Sequence, residues 1–265
     1  MTVLISGGDS FTYGNELDDC TPKNSSEYTW AANLAKHLNM SYDCTAWGGH
    51  GNSAIARRTM TACQKHIEQG HDIFVSVMWS YPSRYEFRFT YDTQERDAPW
   101  YTITPWTHER DQSVILDAFK NFKETVFDHY KRNQLTAQST GLADFSEHFF
   151  RDVGDSEYYE LYTTVKEMVF LQDWLKQRKI AYVYTYVDDI IFDHNTKLDS
   201  TLDTLYKSLD ESRIFYPGEF EGFYKWAQRW NYPMGATHPL EPAHTDFALK
   251  LLPFAEAVLG DPINT

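Results

Sequence analysis

Residues Thr2-Val3-Leu4-Ile5-Ser6-Gly7-Gly8-Asp9-Ser10-Phe11-Thr12-Tyr13-Gly14 read as a short apolar strand running into a glycine turn and a serine-bearing segment. The elements downstream of it fix the kind of sheet. Tyr28 to Leu38 has helical spacing, with Trp30, Leu34 and Leu38 on one face. Met40 to Trp47 can form a second strand, Asn52 to Glu68 a helix, and Asp72 to Trp79 a third strand. The near-continuous apolar run of that third strand suits burial on both faces, as in a parallel sheet. The order β-α-β-α-β predicts an α/β fold: a three-layer α/β/α sandwich of flavodoxin-like type, with a mainly parallel sheet and right-handed crossovers.

From Ser80 to about Asp155 the rhythm breaks. An aromatic, charged segment (Tyr85 to Tyr91), a loop bearing Pro99 and Trp106, and a helical pattern from Val114 to Tyr130 read as a large insertion or lid over residues 80–155. The rhythm resumes with a long amphipathic helix, Ser156 to Arg178, and a β-prone strand, Ile180 to Val187. A polar stretch from Asp188 to Leu209, a helix from Phe220 to Trp230, a loop from Asn231 to Pro239 and a last helix from Glu241 to Leu259 complete the chain. At 265 residues this is one domain carrying an insertion.

The balance of 24 basic against 38 acidic residues, a net charge of −14, argues against a nucleic-acid partner, which needs a basic surface to displace counterions. No run approaches the ~18 apolar residues of a membrane helix, so no membrane partner is expected. The opening residues show no basic leader or secretory apolar stretch, and the expectation is a cytoplasmic chain. Cys20, Cys44 and Cys63 are odd in number and lack metal-ligand spacing, and no H-E-x-x-H cluster occurs; neither disulfide, metal nor cofactor is expected. The 18 Tyr, 17 Phe and 8 Trp suit either a heavily aromatic core or stacking on sugar rings, with the core favoured.

Active sites in such sheets lie at the carboxyl ends of the strands, and Ser10 comes directly after the first strand. A serine hydroxyl is a poor nucleophile without a base to take its proton, and flanking glycines let backbone N–H groups approach a developing oxyanion. The bland alternative is that Asp9 and Ser10 cap a helix. A second glycine-rich turn, Trp47-Gly48-Gly49-His50-Gly51-Asn52-Ser53, opens a helix and offers donors at its N-terminus. Late in the chain, Gly235-Ala236-Thr237-His238-Pro239-Leu240-Glu241-Pro242-Ala243-His244 sets a histidine in a loop before the final helix.

Gly8-Asp9-Ser10-Phe11-Thr12-Tyr13-Gly14, Gly51 after the second strand and His238-Pro239 before the last helix together resemble the SGNH (GDSL-like) hydrolase superfamily. The resemblance covers about residues 1–80 and 156–259, in a divergent form of the kind found in phage and marine microbial genomes. It implies Ser10 as nucleophile, His238 as base, and backbone N–H groups of Ser10 and Gly51 as oxyanion donors. The chain departs from the pattern twice. Gly235 stands where the family has the aspartate three residues before the histidine, leaving Asp188, Asp189 or Glu241 as candidate acids, or a backbone carbonyl or water in that role. Ser80-Tyr81-Pro82-Ser83-Arg84 replaces the block with the oxyanion asparagine, leaving Ser80 as substitute donor; Asp9, Asn52 and Arg84 are candidate substrate contacts.

The implied function is hydrolysis of an ester or O-acyl bond, with a small-molecule or carbohydrate acyl ester, such as an O-acetyl sugar, as substrate. Two other readings stand beside it. One is an SGNH-fold binding or structural protein that has lost catalysis. The other is a nucleotide-binding α/β domain with Gly48 to Ser53 around a phosphate, although the phosphate-loop patterns are missing.

Overall fold

The computed structural model describes residues 1–88, 100–108, 139–192, 199–219 and 221–261. The chain divides into two compact units, one of Met1–Pro82 with Leu161–Thr265 and the other Ser83–Glu160.

In the first unit, β1 (Thr2–Gly7), β2 (Ser41–Cys44), β3 (Asp72–Trp79) and a strand Ala181–Tyr186 form a parallel sheet in which β1 pairs with both β2 and β3, and β3 with Ala181–Tyr186. Ile214 adds a parallel bridge to Tyr184, with Phe215 N donating to the Tyr184 carbonyl, so a fifth position is begun beyond that strand. The chain reverses its direction of winding at β1 and β3. Their carboxyl ends therefore border the crevice where α/β sheets place their sites.

Alternation along each strand assigns residues to two faces. Val3, Ile5, Val75, Val77, Trp79, Tyr182, Tyr184 and Tyr186 pack with Ile55, Ala56 and Cys63 of the helix Asn52–Glu68 and Val165, Met168, Leu171 and Leu175 of the helix Glu157–Gln177. On the opposite face, Leu4, Phe74, Met78 and Val183 meet helices Trp30–His37, Phe223–Arg229 and Glu241–Gly260 through Trp30, Leu34, Phe223, Trp226, Phe247, Leu251 and Ala255. The result is the expected three-layer α/β/α arrangement. The largest fully buried side chains include Trp30, Trp79, Tyr182, Tyr184, Tyr186, Phe74, Phe223 and Phe247, so much of the aromatic content fills the core.

The second unit contains an antiparallel pair, β4 (Tyr85–Arg88) and β5 (Trp100–Ile103), and a helix Leu142–Phe149 that continues as a π-turn through Phe150–Gly154. Tyr85 is its aromatic centre: its ring meets Phe149, Phe150 and Tyr159, and its hydroxyl donates to the Gly154 carbonyl at 2.9 Å. The two strands occupy an aromatic, charged segment and a Pro- and Trp-bearing loop to which sequence reading assigns no strand. The helical pattern expected from Val114 to Tyr130 lies outside the described residues. A helix at Ser200–Ser208, capped by Asp199, also stands in the stretch read only as polar.

In chain order the helices are now called α1 (Ser10–Tyr13), α2 (Trp30–His37), α3 (Asn52–Glu68), α4 (Leu142–Phe149), α5 (Glu157–Gln177), α6 (Ser200–Ser208), α7 (Phe223–Arg229) and α8 (Glu241–Gly260); the sixth strand, Ala181–Tyr186, is β6.

Candidate active site

Ser10 is the first residue of α1, a single turn set directly after β1. Its N-cap Asp9 accepts from Phe11 N at 3.0 Å, and the turn closes where Gly14 N donates to the Ser10 carbonyl at 2.9 Å. Gly14 has φ 88°, the left-handed value that a glycine adopts without a Cβ penalty. Two residues on, Glu16 holds φ 72°, a conformation uncommon for a residue with a side chain.

That backbone sends the Glu16 carboxylate to the loop before α8. In this loop Met234 bridges Pro239, Gly235 N donates to the His238 carbonyl at 2.8 Å, and Leu240 N donates to the Pro233 carbonyl at 2.9 Å. The loop presents His238 between two partners. Its Nε2 lies 2.8 Å from Ser10 Oγ and its Nδ1 lies 2.7 Å from Glu16 Oε1. The consistent tautomer has Nδ1–H donating to the carboxylate and Nε2 accepting from the serine hydroxyl. Phe11 lies against the imidazole, ring centroids 4.6 Å apart.

Glu16 is further held by Thr237, whose N donates to both carboxylate oxygens at 3.2 and 3.1 Å and whose Oγ1 donates to Oε1 at 2.6 Å. Partial desolvation favours the protonated acid, but the hydrogen bonds from Thr237 and His238 outweigh it and bring the carboxyl down to about 2. The acid is thus an anion at any pH where an imidazole is neutral.

The other candidate acids are elsewhere. Asp189 is paired with Lys225, whose Nζ is also 3.8 Å from Asp188 Oδ1, and Asp188 caps the short turn after β6 by accepting from Ile190 N. Glu241 is exposed in the first turn of α8, where a carboxylate suits the helix dipole. The carboxylate on His238 is Glu16. Sequence reading missed it because Glu16, Asp18 and Asp19 all come after α1 and no spacing rule separates them. The one available signal was Gly235: an acid missing there has to be supplied by another loop.

The expected oxyanion and substrate contacts are also corrected in part. Ser80 Oγ donates to Asp9 Oδ2 at 2.7 Å, and Ser80 N donates to Asn52 Oδ1 at 2.8 Å. The hydroxyl is therefore engaged with a buried carboxylate rather than aimed at a substrate. Asp9 is 0% and Asn52 3% exposed, and each is engaged by neighbouring protein groups. The Asn52 amide instead ties the end of β3 to α5, donating to the Ser80 carbonyl at 3.2 Å and to Thr164 Oγ1 at 2.9 Å. Arg84 falls in the second unit.

Gly51 is the N-cap of α3. The turn leading to it packs on the segment around Ser10: Trp47 N donates to the Gly8 carbonyl at 3.3 Å, and the Trp47 and Tyr13 rings lie 4.8 Å apart. His244, six residues after His238, is fully buried and accepts from Trp30 N at 3.1 Å, capping α2. Burial, the largest influence on it, brings its imidazole down to about 3, so it is neutral.

No family model and no curated protein matches the chain. Among solved structures it is similar to the psychrotrophic esterase EstA from Pseudoalteromonas sp., at 8% identity over 98% of this chain and 99% of that one, with a TM-score of 0.47. It is also similar to a carbohydrate esterase family 2 enzyme with a carbohydrate binding domain from Corynascus thermopiles (Myceliophthora fergusii), at 12% identity over 98% and 67% of the two chains, TM-score 0.46. A third is a member of the lipolytic protein G-D-S-L family from Veillonella parvula, at 11% identity over 96% and 97%, TM-score 0.42.

Proposed function

We propose that this chain is a divergent SGNH-type serine esterase that hydrolyses an ester or O-acyl bond through Ser10, His238 and Glu16. The observation that carries the reading is the unbroken series Ser10 Oγ, His238 Nε2, His238 Nδ1, Glu16 Oε1, with separations of 2.8 and 2.7 Å at its two ends. A nucleophile, a base within hydrogen-bond reach and a carboxylate orienting that base are the three parts that acyl transfer to water requires.

In this mechanism Ser10 Oγ attacks the acyl carbonyl as His238 Nε2 takes its proton. Glu16 fixes the tautomer with Nε2 open and stabilises the imidazolium that forms, without itself taking the proton. Backbone N–H groups of Ser10 and Gly51 receive the oxyanion, aided by the N-terminal end of α3. The imidazolium returns its proton to the alcohol as it leaves. Water, deprotonated by the same imidazole, then attacks the acyl carbon and releases the acid, and the imidazolium returns the proton to Ser10 Oγ.

The substrate class proposed is a small or carbohydrate acyl ester, with O-acetyl sugars as the first to try. The net charge of −14 disfavours nucleic acid as the acyl carrier. The test is hydrolysis of p-nitrophenyl acetate together with labelling by a fluorophosphonate probe. Both are expected in the parent and absent in Ser10→Ala, with the label mapped to Ser10. Equal hydrolysis by parent and Ser10→Ala overturns the proposal, and a chain that neither hydrolyses nor takes the probe is the binding protein instead.

A further inference from the structure

We propose that Gly235 is a positioning residue for the acid: the space a side chain would fill there is the seat of the Glu16 carboxylate, so positions 16 and 235 are alternative carriers of one acid. The inference rests on the reading of Ser10, His238 and Glu16 as a relay, and adds how the relay is assembled.

A Cβ built on Gly235 would lie 2.1 Å from Glu16 Oε2, 3.2 Å from its Cδ and 3.3 Å from its Cβ. An oxygen at the end of a flexible side chain often swings away from such a clash. This one accepts from Thr237 N, while its partner Oε1 accepts from Thr237 Oγ1 and His238 Nδ1, so the carboxylate is pinned as a unit and its retreat would leave the imidazole unsupported. The backbone gives no other reason for glycine. The glycines with left-handed φ are 14, 49, 70 and 141, and 235 is not among them, so an L-residue fits its conformation. The strain falls instead on Glu16, which holds φ 72°. A non-glycine residue in that region costs on the order of 1 kcal/mol, sustained only where its surroundings fix it.

The same geometry runs in reverse. A carboxyl carried one bond beyond a Cβ at 235 enters the volume that the Glu16 carboxylate occupies, beside the same Thr237 and His238 donors. Glu16→Gly empties that volume and suits the left-handed backbone at 16 better than glutamate does. The two changes should then compensate.

The experiment compares the parent with Glu16→Gly, Gly235→Asp and the double variant, reading kcat/KM and its pH profile on p-nitrophenyl acetate and the melting temperature of each. Each single change is expected to lower kcat/KM by roughly 100-fold or more, from the known weight of the third relay member. The double variant is expected to exceed the better single by at least about tenfold and to regain the acid limb of the parent profile, which general stabilisation would not restore. A double variant no better than its better single overturns the proposal.

If the aspartate variants do not fold, Gly235→Ala decides. It should lower the melting temperature in the parent and leave it nearly unchanged in Glu16→Gly, because the methyl group clashes only with the glutamate. Equal effects in both backgrounds overturn the proposal. Ser10→Ala separates the two ideas: retained hydrolysis there removes the relay itself, whereas abolished hydrolysis with additive effects at 16 and 235 removes only the role of Gly235.

Discussion

Glu16 and His238, 222 residues apart in the chain, meet at 2.7 Å, and the carboxylate arrives from the turn beyond Ser10 rather than from the loop that carries the imidazole. Glu16→Gln keeps the size of the side chain and removes its charge. It is expected to cut kcat/KM by roughly 10²–10⁴-fold, mostly in kcat, because an amide can present its N–H to Nδ1 and favour the wrong tautomer. Steady-state kinetics on a p-nitrophenyl ester, with circular dichroism to verify folding, checks this. An unchanged kcat removes Glu16 from the relay.

The depressed Glu16 carboxyl sets a pH window. Its value of about 2 in the folded chain lies below its ordinary 4.5, so the stability it contributes is fully present above 4.5 and lost as pH falls through 2. Urea unfolding of the parent should therefore show a decline between those values that Glu16→Gln lacks. The acid limb of kcat/KM should report no more than one group, because the carboxylate is already ionised there. A second acid-side inflection above pH 3 would contradict the assignment.

Ser80→Ala separates a packing role from an oxyanion role. The Ser80 hydroxyl serves the buried Asp9 carboxylate, so its loss should destabilise the fold by about 1–3 kcal/mol, read as a lower urea midpoint. Under the proposed function, the kcat of the folded variant should fall less than tenfold, whereas deletion of an oxyanion donor costs roughly 10²–10³-fold. A loss of that larger size would return Ser80 to the catalytic centre.

His244 makes a prediction about stability rather than activity. With its imidazole at about 3 in the folded state against an ordinary 6.5, the unfolded chain binds a proton that the native chain refuses. Native stability should fall as pH drops from 6.5 to 3, by up to about 1.4 kcal/mol per pH unit. His244→Ala should lose this dependence. It should also unfold at lower urea at every pH, because Trp30 N–H is left without its acceptor. Retained midpoints would show that the cap contributes nothing.

The α/β class was legible because apolar runs such as Asp72–Trp79 and periodic helices such as Asn52–Glu68 are long enough for their patterns to be unambiguous. Segments with mixed character were not. The pairing of Tyr85–Arg88 with Trp100–Ile103 depends on contacts across a gap that no local period announces, and the helix Ser200–Ser208 has only Leu202 fully buried. At the site, Ser10 and His238 stood out through their neighbours along the chain, as expectations. Glu16 could not, because its role depends on a left-handed backbone and a distant glycine, and neither is written as a motif around it. Ser80 was expected as an oxyanion donor and Asp9 and Asn52 as substrate contacts; the hydrogen bonds that join Ser80 to Asp9 and Asn52 link residues 71 and 28 positions apart, which no local pattern announces.

The left-handed turn at Gly14 and Glu16 puts the proposed nucleophile and acid within seven consecutive residues, leaving the imidazole as the one long-range arrival. Homologues of this chain are therefore best sought with a two-part signature, Ser-x3-Gly-x-Glu near the first strand and Gly-x-Thr-His ahead of the last helix, in which the familiar aspartate is not required. A search demanding that aspartate discards sequences of this kind as inactive, whereas the paired signature sorts them into those that have moved the acid and those that have lost it.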